Sequence, residues 1–198
     1  MHKLLATFVC TAALAAALPA HALTLVSIFA PHGNQAVARV DNTALPTIAA
    51  DIGFAAFGPV AFEFELATAD VGGLAGFNAV ITNRTGSDIS TLELILYRGT
   101  FALAGSITPA FGTVASMTGG EQRQRITFAP AEPFGIDIGN PFSAAGGEDW
   151  LIGLAGLAAG ERFTLTVSAV PEPSAWALAL AGAGLLAGVR RRRSAALR

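Results

Sequence analysis

Hydrophobic and polar residues alternate with a period of two in several stretches of the central chain. In PVAFEFEL, Phe62, Phe64 and Leu66 fall on one face, and Glu63 and Glu65 fall on the other. The stretches STLELILYR, RQRITFA and ERFTLTVSA alternate in the same way. Because successive side chains of a β-strand point to opposite faces, each stretch is predicted to form a strand with one buried face.

Further strands are predicted where apolar runs lie between turn signals, in LTLVSIF, QAVARV, GFNAVITN and WLIGLA. Glycine- or asparagine-containing turns are predicted at 83–88, 119–120, 139–142, 144–149 and 157–161. Residues 49–57 could form one or two helical turns, and no longer helical pattern competes outside the termini. Roughly eight short strands in a domain at residues 23–170 favour an all-β fold, an antiparallel β-sandwich of the immunoglobulin-like or jelly-roll type.

Charge is unevenly distributed along the chain. The formal net charge is −2, but residues 23–170 carry six arginines, no lysine and thirteen acidic residues, which gives −7 for this part. A segment this acidic lacks the basic surface that nucleic acids require, so no nucleic-acid partner is expected. The one cysteine, Cys10, lies in the N-terminal apolar run, so the central domain has neither a disulfide nor a thiol nucleophile.

The N-terminal sequence MHKLLATFVCTAALAAALPAHA has the three parts of a secretory signal peptide. Lys3 provides positive charge, residues 4–18 are apolar, and Ala20 and Ala22 occupy the small positions of an A-x-A cleavage site. We therefore predict that residues 1–22 are a signal-peptide helix. Signal peptidase is expected to cleave after Ala22 and to release the central domain from it.

The C-terminal sequence VPEPSAWALALAGAGLLAGVRRRRSAALR joins a proline motif to an apolar run and a group of arginines. Residues 175–189 contain no charge, and as a helix they would span roughly 22 Å, less than the ~30 Å core of a bilayer. Anchors at the two interfaces extend this span, Trp176 at one end and Arg190, Arg191, Arg192 and Arg193 at the other. We predict a transmembrane helix with its arginines in the cytoplasm.

Pro171, Glu172 and Pro173 stand just before this helix. Proline has no N–H and holds its neighbour extended, so the motif is suited to recognition by a membrane protease. With the apolar helix and the arginines, residues 171–198 resemble the PEP-CTERM sorting signal. The resemblance implies an exosortase, a membrane-embedded cysteine protease or transpeptidase of certain Gram-negative bacteria, as a partner. It also implies an intermediate anchored in the inner membrane, removal of its tail, and delivery to the cell surface or the extracellular matrix.

A few residues of the central domain are candidates for catalysis or binding. His32 is its only histidine, and no G-x-S-x-G motif accompanies it, so a catalytic triad is disfavoured. Glu63 and Glu65 share a face and could act as a carboxylate pair, but the alternation of the strand already explains them as a solvated face, which is the preferred interpretation. Calcium ligands could come from Asp137, Asn140, Glu148 and Asp149, and stacking on a sugar from Tyr97 and Trp150. Trp150 is expected to pack against the core instead.

These observations predict a secreted surface or extracellular-matrix protein with no catalytic activity, no cofactor and no bound metal. The alternative is a module that binds carbohydrate, such as an extracellular polysaccharide. An enzyme built on His32 or on an acid pair is the third hypothesis.

Overall fold

A computed structural model of the chain describes residues 23–42, 45–67, 72–142 and 149–171. None of these residues belongs to a helix long and apolar enough to cross a membrane. They form thirteen strands: β1 (Leu23–Phe29), β2 (Gln35–Asp41), β3 (Thr47–Phe54), β4 (Gly58–Leu66), β5 (Leu74–Asn83), β6 (Ile89–Tyr97), β7 (Thr100–Leu103), β8 (Ile107–Pro109), β9 (Val114–Gly120), β10 (Arg123–Glu132), β11 (Gly135–Ile138), β12 (Leu151–Gly153) and β13 (Arg162–Pro171).

The strands form two sheets in a sandwich-like arrangement, which confirms the predicted all-β fold. Sheet A has six strands in the order β1-β4-β13-β6-β10-β9. Sheet B has seven strands, five of them in the order β2-β3-β5-β11-β8, and its remaining strands are β12, which pairs with β5 and β7, and β7 itself. Each sheet therefore has an inner face toward the core and an outer face toward solvent.

Alternating residues of the strands build one apolar core between the sheets. Phe62, Phe64 and Leu66 of β4 are at most 2% exposed, as their alternation with glutamates predicted. Phe64 stacks on Phe163 of β13, with 5.2 Å between ring centroids, because the two residues lie opposite each other in the sheet. Full burial of such a side chain contributes about 1.5–3 kcal/mol relative to exposure, so this alternation accounts for much of the cohesion of sheet A.

The prediction of a purely antiparallel sandwich is wrong at one pair of strands. β3 and β5 run parallel, from Thr47 opposite Gly76 to Phe54 opposite Asn83. Every other pairing between described strands is antiparallel. The physical reason is that β4, between them in the chain, belongs to sheet A. The chain therefore crosses to the other sheet and returns in its original direction, and sheet B is mixed.

Residues 49–57 do not form the helical turns that were considered for them. Residues 47–54 are β3, in which Ile48, Ile52 and Phe54 are buried on the inner face of sheet B. The predicted turn at 119–120 is also wrong, because both glycines belong to β9 and the chain reverses at Glu121 and Gln122.

Candidate functional site

The last strand of the domain runs directly into the proline motif. β13 ends at Pro171, the first residue of the motif, and Pro171 pairs with Ile89 at the start of β6. The Ser90 hydroxyl donates to the Pro171 carbonyl at 2.9 Å and also reaches the Val170 carbonyl at 3.4 Å. A proline is tolerated at a strand end, where its missing N–H costs no ladder bond. The motif therefore begins on the sheet itself, without a linker.

β13 lies in the interior of sheet A. It pairs along most of its length with β4 on one side and with β6 on the other. Its inward side chains Phe163, Leu165 and Val167 are at most 1% exposed. Removal of this strand would expose the core and leave the backbone groups of two neighbours unpaired, which is costly. Only a cut on the C-terminal side of β13 is compatible with the fold.

The remaining residues predicted to act in processing lie outside the described residues. They are Ala20 and Ala22 at the predicted signal-peptidase site, and Glu172, Pro173, Trp176, Arg190, Arg191, Arg192 and Arg193 at the C-terminal end. The predicted signal-peptide helix and transmembrane helix lie outside them as well.

His32 occupies an exposed turn between β1 and β2, where its backbone φ is 61°. Within the described ranges, no hydrogen bond or ion pair joins its imidazole to a serine, aspartate or glutamate. The structure therefore assembles no catalytic triad around His32 in the part of the chain that it describes.

Both acids of the pair on β4 contact one arginine. Arg162 contacts Glu65 at 3.0 Å and Glu63 at 3.4 Å on the outer face of sheet A. Strand pairing explains the contact, because Arg162 lies opposite Glu65 at the start of β13. Exposed pairs of this kind are worth about 0–1 kcal/mol. The two carboxylates are thus part of a solvated, ion-paired surface.

The structure describes three of the four calcium candidates, Asp137, Asn140 and Asp149. Asp149 accepts a backbone N–H bond at 2.6 Å through Oδ2, and the backbone N–H of Asn140 donates to Oδ1 of Asn78. Asp137 lies on β11, where burial raises the pKa of its carboxyl. Among the described residues, no group of three or more His, Cys, Asp or Glu side chains is placed to hold a metal ion. Glu148 lies outside those residues.

Trp150 is a core residue, as predicted. It is 0% exposed, its ring meets Phe101 edge-on at 5.8 Å, and its Nε1 donates to the Ser106 carbonyl at 2.8 Å. Trp150 therefore offers no free face to a sugar. Tyr97, the other candidate for stacking, is 58% exposed and lies at the end of β6 in sheet A.

Three shallow depressions, which the sequence pattern does not indicate, lie on the outer face of sheet B and have volumes of about 380, 260 and 270 Å³. Val80 lines all three, so they form one continuous surface. The strand register aligns one outward residue from each strand in a row across it: Val37, Asp51, Val80, Asp137 and Thr108. We call this surface the sheet B groove.

Two aromatic side chains stand at the margins of the sheet B groove. Phe142 is 80% exposed beside the first depression, and Phe134 is 63% exposed beside the third. The floor between them includes small residues such as Ala49 and Gly53. Aromatic residues in turns, such as these two, are a feature of the sequence that could have indicated a binding surface. The groove itself could not be predicted, because it depends on the parallel pairing of β3 with β5, which the sequence pattern does not specify.

Comparison with known proteins gives one finding. The family model of the PEP-CTERM protein-sorting motif matches residues 169–193, a range that starts inside β13. No curated protein and no solved structure matches the chain. The motif implies sorting by an exosortase to the cell surface through a membrane-anchored intermediate. The chain therefore carries a PEP-CTERM protein-sorting motif, which adjoins the all-β domain and has its first residues in the central strand β13.

Proposed function

We propose that the protein is a non-catalytic component of the cell surface or extracellular matrix, delivered there by export and exosortase processing. The junction at Pro171 carries this proposal. The sorting motif begins where a central strand of the domain ends, so a cut after the strand would release an intact domain. This arrangement supports release of an intact domain.

The surroundings of the catalytic candidates support a role without catalysis. Arg162 pairs with Glu63 and Glu65, and His32 lies in an exposed turn. A general acid or nucleophile needs a catalytic partner within hydrogen-bond reach. The two glutamates are ion-paired with Arg162 instead, and the His32 imidazole has no hydrogen bond to a described serine, aspartate or glutamate.

In this proposal, both ends of the chain are processed. Signal peptidase cleaves after Ala22, and the apolar tail holds the exported domain at the inner membrane with Arg190–Arg193 in the cytoplasm. Exosortase then acts at the motif formed by residues 171–173. The mature domain begins at Leu23, the first residue of β1.

Mass spectrometry of the protein collected from a host with an exosortase tests the proposal. We expect an N-terminus at Leu23 and a C-terminus at or after Pro171. In a matched host without the exosortase, the chain should keep its tail and stay in the membrane fraction. A mature C-terminus inside β13, or identical products in the two hosts, would contradict the proposal.

A second function is favoured by the sheet B groove. We propose that the delivered domain binds carbohydrate there, since the groove combines exposed aromatic rings with polar side chains on one accessible face. Sugar sites characteristically combine apolar packing with a few hydrogen-bonding groups that fix orientation.

A further inference from the structure

We propose that the sheet B groove binds an extended, uncharged polysaccharide. This inference rests on the second function proposed above and specifies its ligand class. Three observations carry it. The charged side chains in the groove have no described ion-pair partner, their charges balance, and the floor between the two aromatic side chains is long and shallow.

Ion pairs are frequent on the outer face of sheet A, although Arg123 of β10 makes none with another described residue. On sheet A, Arg125 of β10 lies 3.4 Å from Glu93 of β6, and Arg162 pairs with both glutamates of β4. In the sheet B groove, Arg39, Arg84, Asp51 and Asp137 make no side-chain hydrogen bond or ion pair with another described residue. No other described residue therefore competes with a ligand for their donors and acceptors.

The charges in the groove balance. Two arginines and two aspartates give it no net charge, so it does not attract a strongly charged polymer. A sugar hydroxyl both donates to a carboxylate and accepts from a guanidinium, so an uncharged polyhydroxyl chain satisfies both kinds of group. A protein partner would have to bury these charges, and the cores of protein interfaces are depleted of charged residues for that reason.

The shape of the groove suits a long ligand. Five strands at ~4.8 Å spacing make it roughly 19 Å wide, which is room for more than one sugar unit. Phe142 and Phe134 provide apolar surfaces on opposite sides, against which the apolar faces of sugar rings can pack. A chain that spans the first and third depressions would meet both.

Gly53 lies on the floor of the groove, where an added side chain would occupy part of its space. A Cβ atom at this position would lie 3.9 Å from its nearest neighbours, an ordinary van der Waals distance. Valine is favoured over glycine in a strand, so Gly53→Val should fold at least as well as the wild type. Its side chain would project from the groove floor between Gln35 and Thr82, which lie opposite Gly53 on β2 and β5.

Phe142→Ala removes the most exposed aromatic side chain of the groove, and Tyr97→Ala is its matched control. Both residues are exposed, at 80% and 58%, so neither substitution should affect the core. Tyr97 belongs to sheet A, so its loss should leave the groove unchanged.

Affinity electrophoresis of the detergent-solubilised full chain tests the proposal with gels that contain hydroxyethyl cellulose, dextran or galactomannan as neutral probes and alginate as an anionic probe. We expect at least one neutral probe to retard the wild type more than alginate does. Gly53→Val and Phe142→Ala should each weaken that retardation by roughly tenfold, the size of effect typical of a central contact residue, and Tyr97→Ala should not change it.

Other outcomes would overturn the inference. The inference fails if no neutral probe retards the wild type, or if alginate retards it more strongly than every neutral probe. It also fails if Gly53→Val is retarded as strongly as the wild type. Self-association of the wild type that Gly53→Val abolishes would assign the groove to contact between copies of the chain. Release of new reducing ends from a probe would show that the protein hydrolyses the polysaccharide, which would contradict a role in binding alone. The mature ends measured by mass spectrometry do not depend on the groove. The ligand assay can therefore fail while the delivery proposal holds, and the delivery proposal can fail while the ligand assay succeeds.

Discussion

At the scale of single residues, the buried carboxylate of Glu132 links two connections of the fold. Glu132 is 0% exposed and its carboxylate accepts four backbone N–H bonds. Oε2 accepts from Phe111 at 2.7 Å and Gly112 at 2.8 Å, and Oε1 accepts from Phe134 at 2.8 Å and Gly135 at 3.1 Å. One side chain thus holds the connection between β8 and β9 against the turn between β10 and β11.

Burial alone would raise the pKa of Glu132, but the backbone N–H donors outweigh it, and the pKa lies below its ordinary value of 4.5. A carboxyl whose folded pKa is lowered binds protons less readily in the folded state than in the unfolded state. Its contribution to stability is therefore present above about pH 4.5 and is lost as the pH falls through the lowered folded pKa.

Glu132→Gln should destabilise the domain by about 3 kcal/mol, because the amide presents an NH₂ group to two backbone N–H donors and leaves them unsatisfied. The variant should also lose the part of the acid sensitivity that ionisation of Glu132 causes. Urea unfolding at several pH values between about 7 and 3 measures both effects. Glu121→Gln in the exposed turn before β10 is the matched control. Equal midpoints for the two variants would contradict the role assigned to Glu132.

At the scale of elements, the sequence predicted best the strands with one face in the core and one in solvent. β4, β6, β10 and β13 show this alternation because they lie in sheet A over the core. β3 also has one buried face, but the sequence pattern did not predict it as a strand. β9 was missed because every residue of it is exposed, and β7, β8 and β11 are only three or four residues long. Such elements form through partners distant in the chain, which local pattern does not record.

The sorting motif and the sheet B groove also differ in how far the sequence alone predicts them. The sorting residues Pro171, Glu172 and Pro173 form a linear motif, so the sequence alone identifies them. The sheet B groove needs residues from β2, β3, β5, β8 and β11 in one register, and it also needs β4 to leave sheet B. Asp51 and Asp137 are neighbours of Val80 only after the sheet has formed.

Leu165→Ala should show how strongly the last strand holds the domain together. Leu165 is 0% exposed in β13, so truncation leaves a cavity in the core and should cost about 2–5 kcal/mol. Thr164→Ala, at the next position on the outer face, should cost less than about 1 kcal/mol. Urea unfolding of both variants measures the difference. A cost for Leu165→Ala as small as that of Thr164→Ala would mean that β13 is not part of the cooperative core.

At the scale of the whole molecule, both predicted processing sites adjoin sheet A. β1 and β13 both run antiparallel to β4, so they run parallel to each other on its two sides. Leu23 and Pro171 therefore lie at opposite ends of the sheet, separated by roughly the 30 Å length of a ten-residue strand. The sheet B groove faces away from both sites. The tail can hold the domain at a membrane through one end of sheet A while the groove stays accessible.

The carboxylate of the sorting motif gives the sharpest test of delivery. If 171–173 is only an extended stop between domain and membrane helix, Glu172→Ala should have no effect, because both prolines remain. If the exosortase recognises the carboxylate, loss of a charge-assisted contact worth about 1.5–3 kcal/mol should slow processing by roughly ten- to a hundredfold. We expect the second result, with the chain accumulating in the membrane fraction with its tail attached.

The measurement is the ratio of membrane-bound to released protein in a host with the exosortase. β13 ends at Pro171, before Glu172, so the substitution should not alter the unfolding midpoint of the domain. Glu121→Ala removes the same charge from an exposed turn elsewhere and should be released like the wild type. Slower release of Glu172→Ala with an unchanged midpoint assigns the effect to recognition, because a folding defect would lower the midpoint as well. Release of Glu172→Ala at the wild-type rate would show that the prolines and the helix suffice.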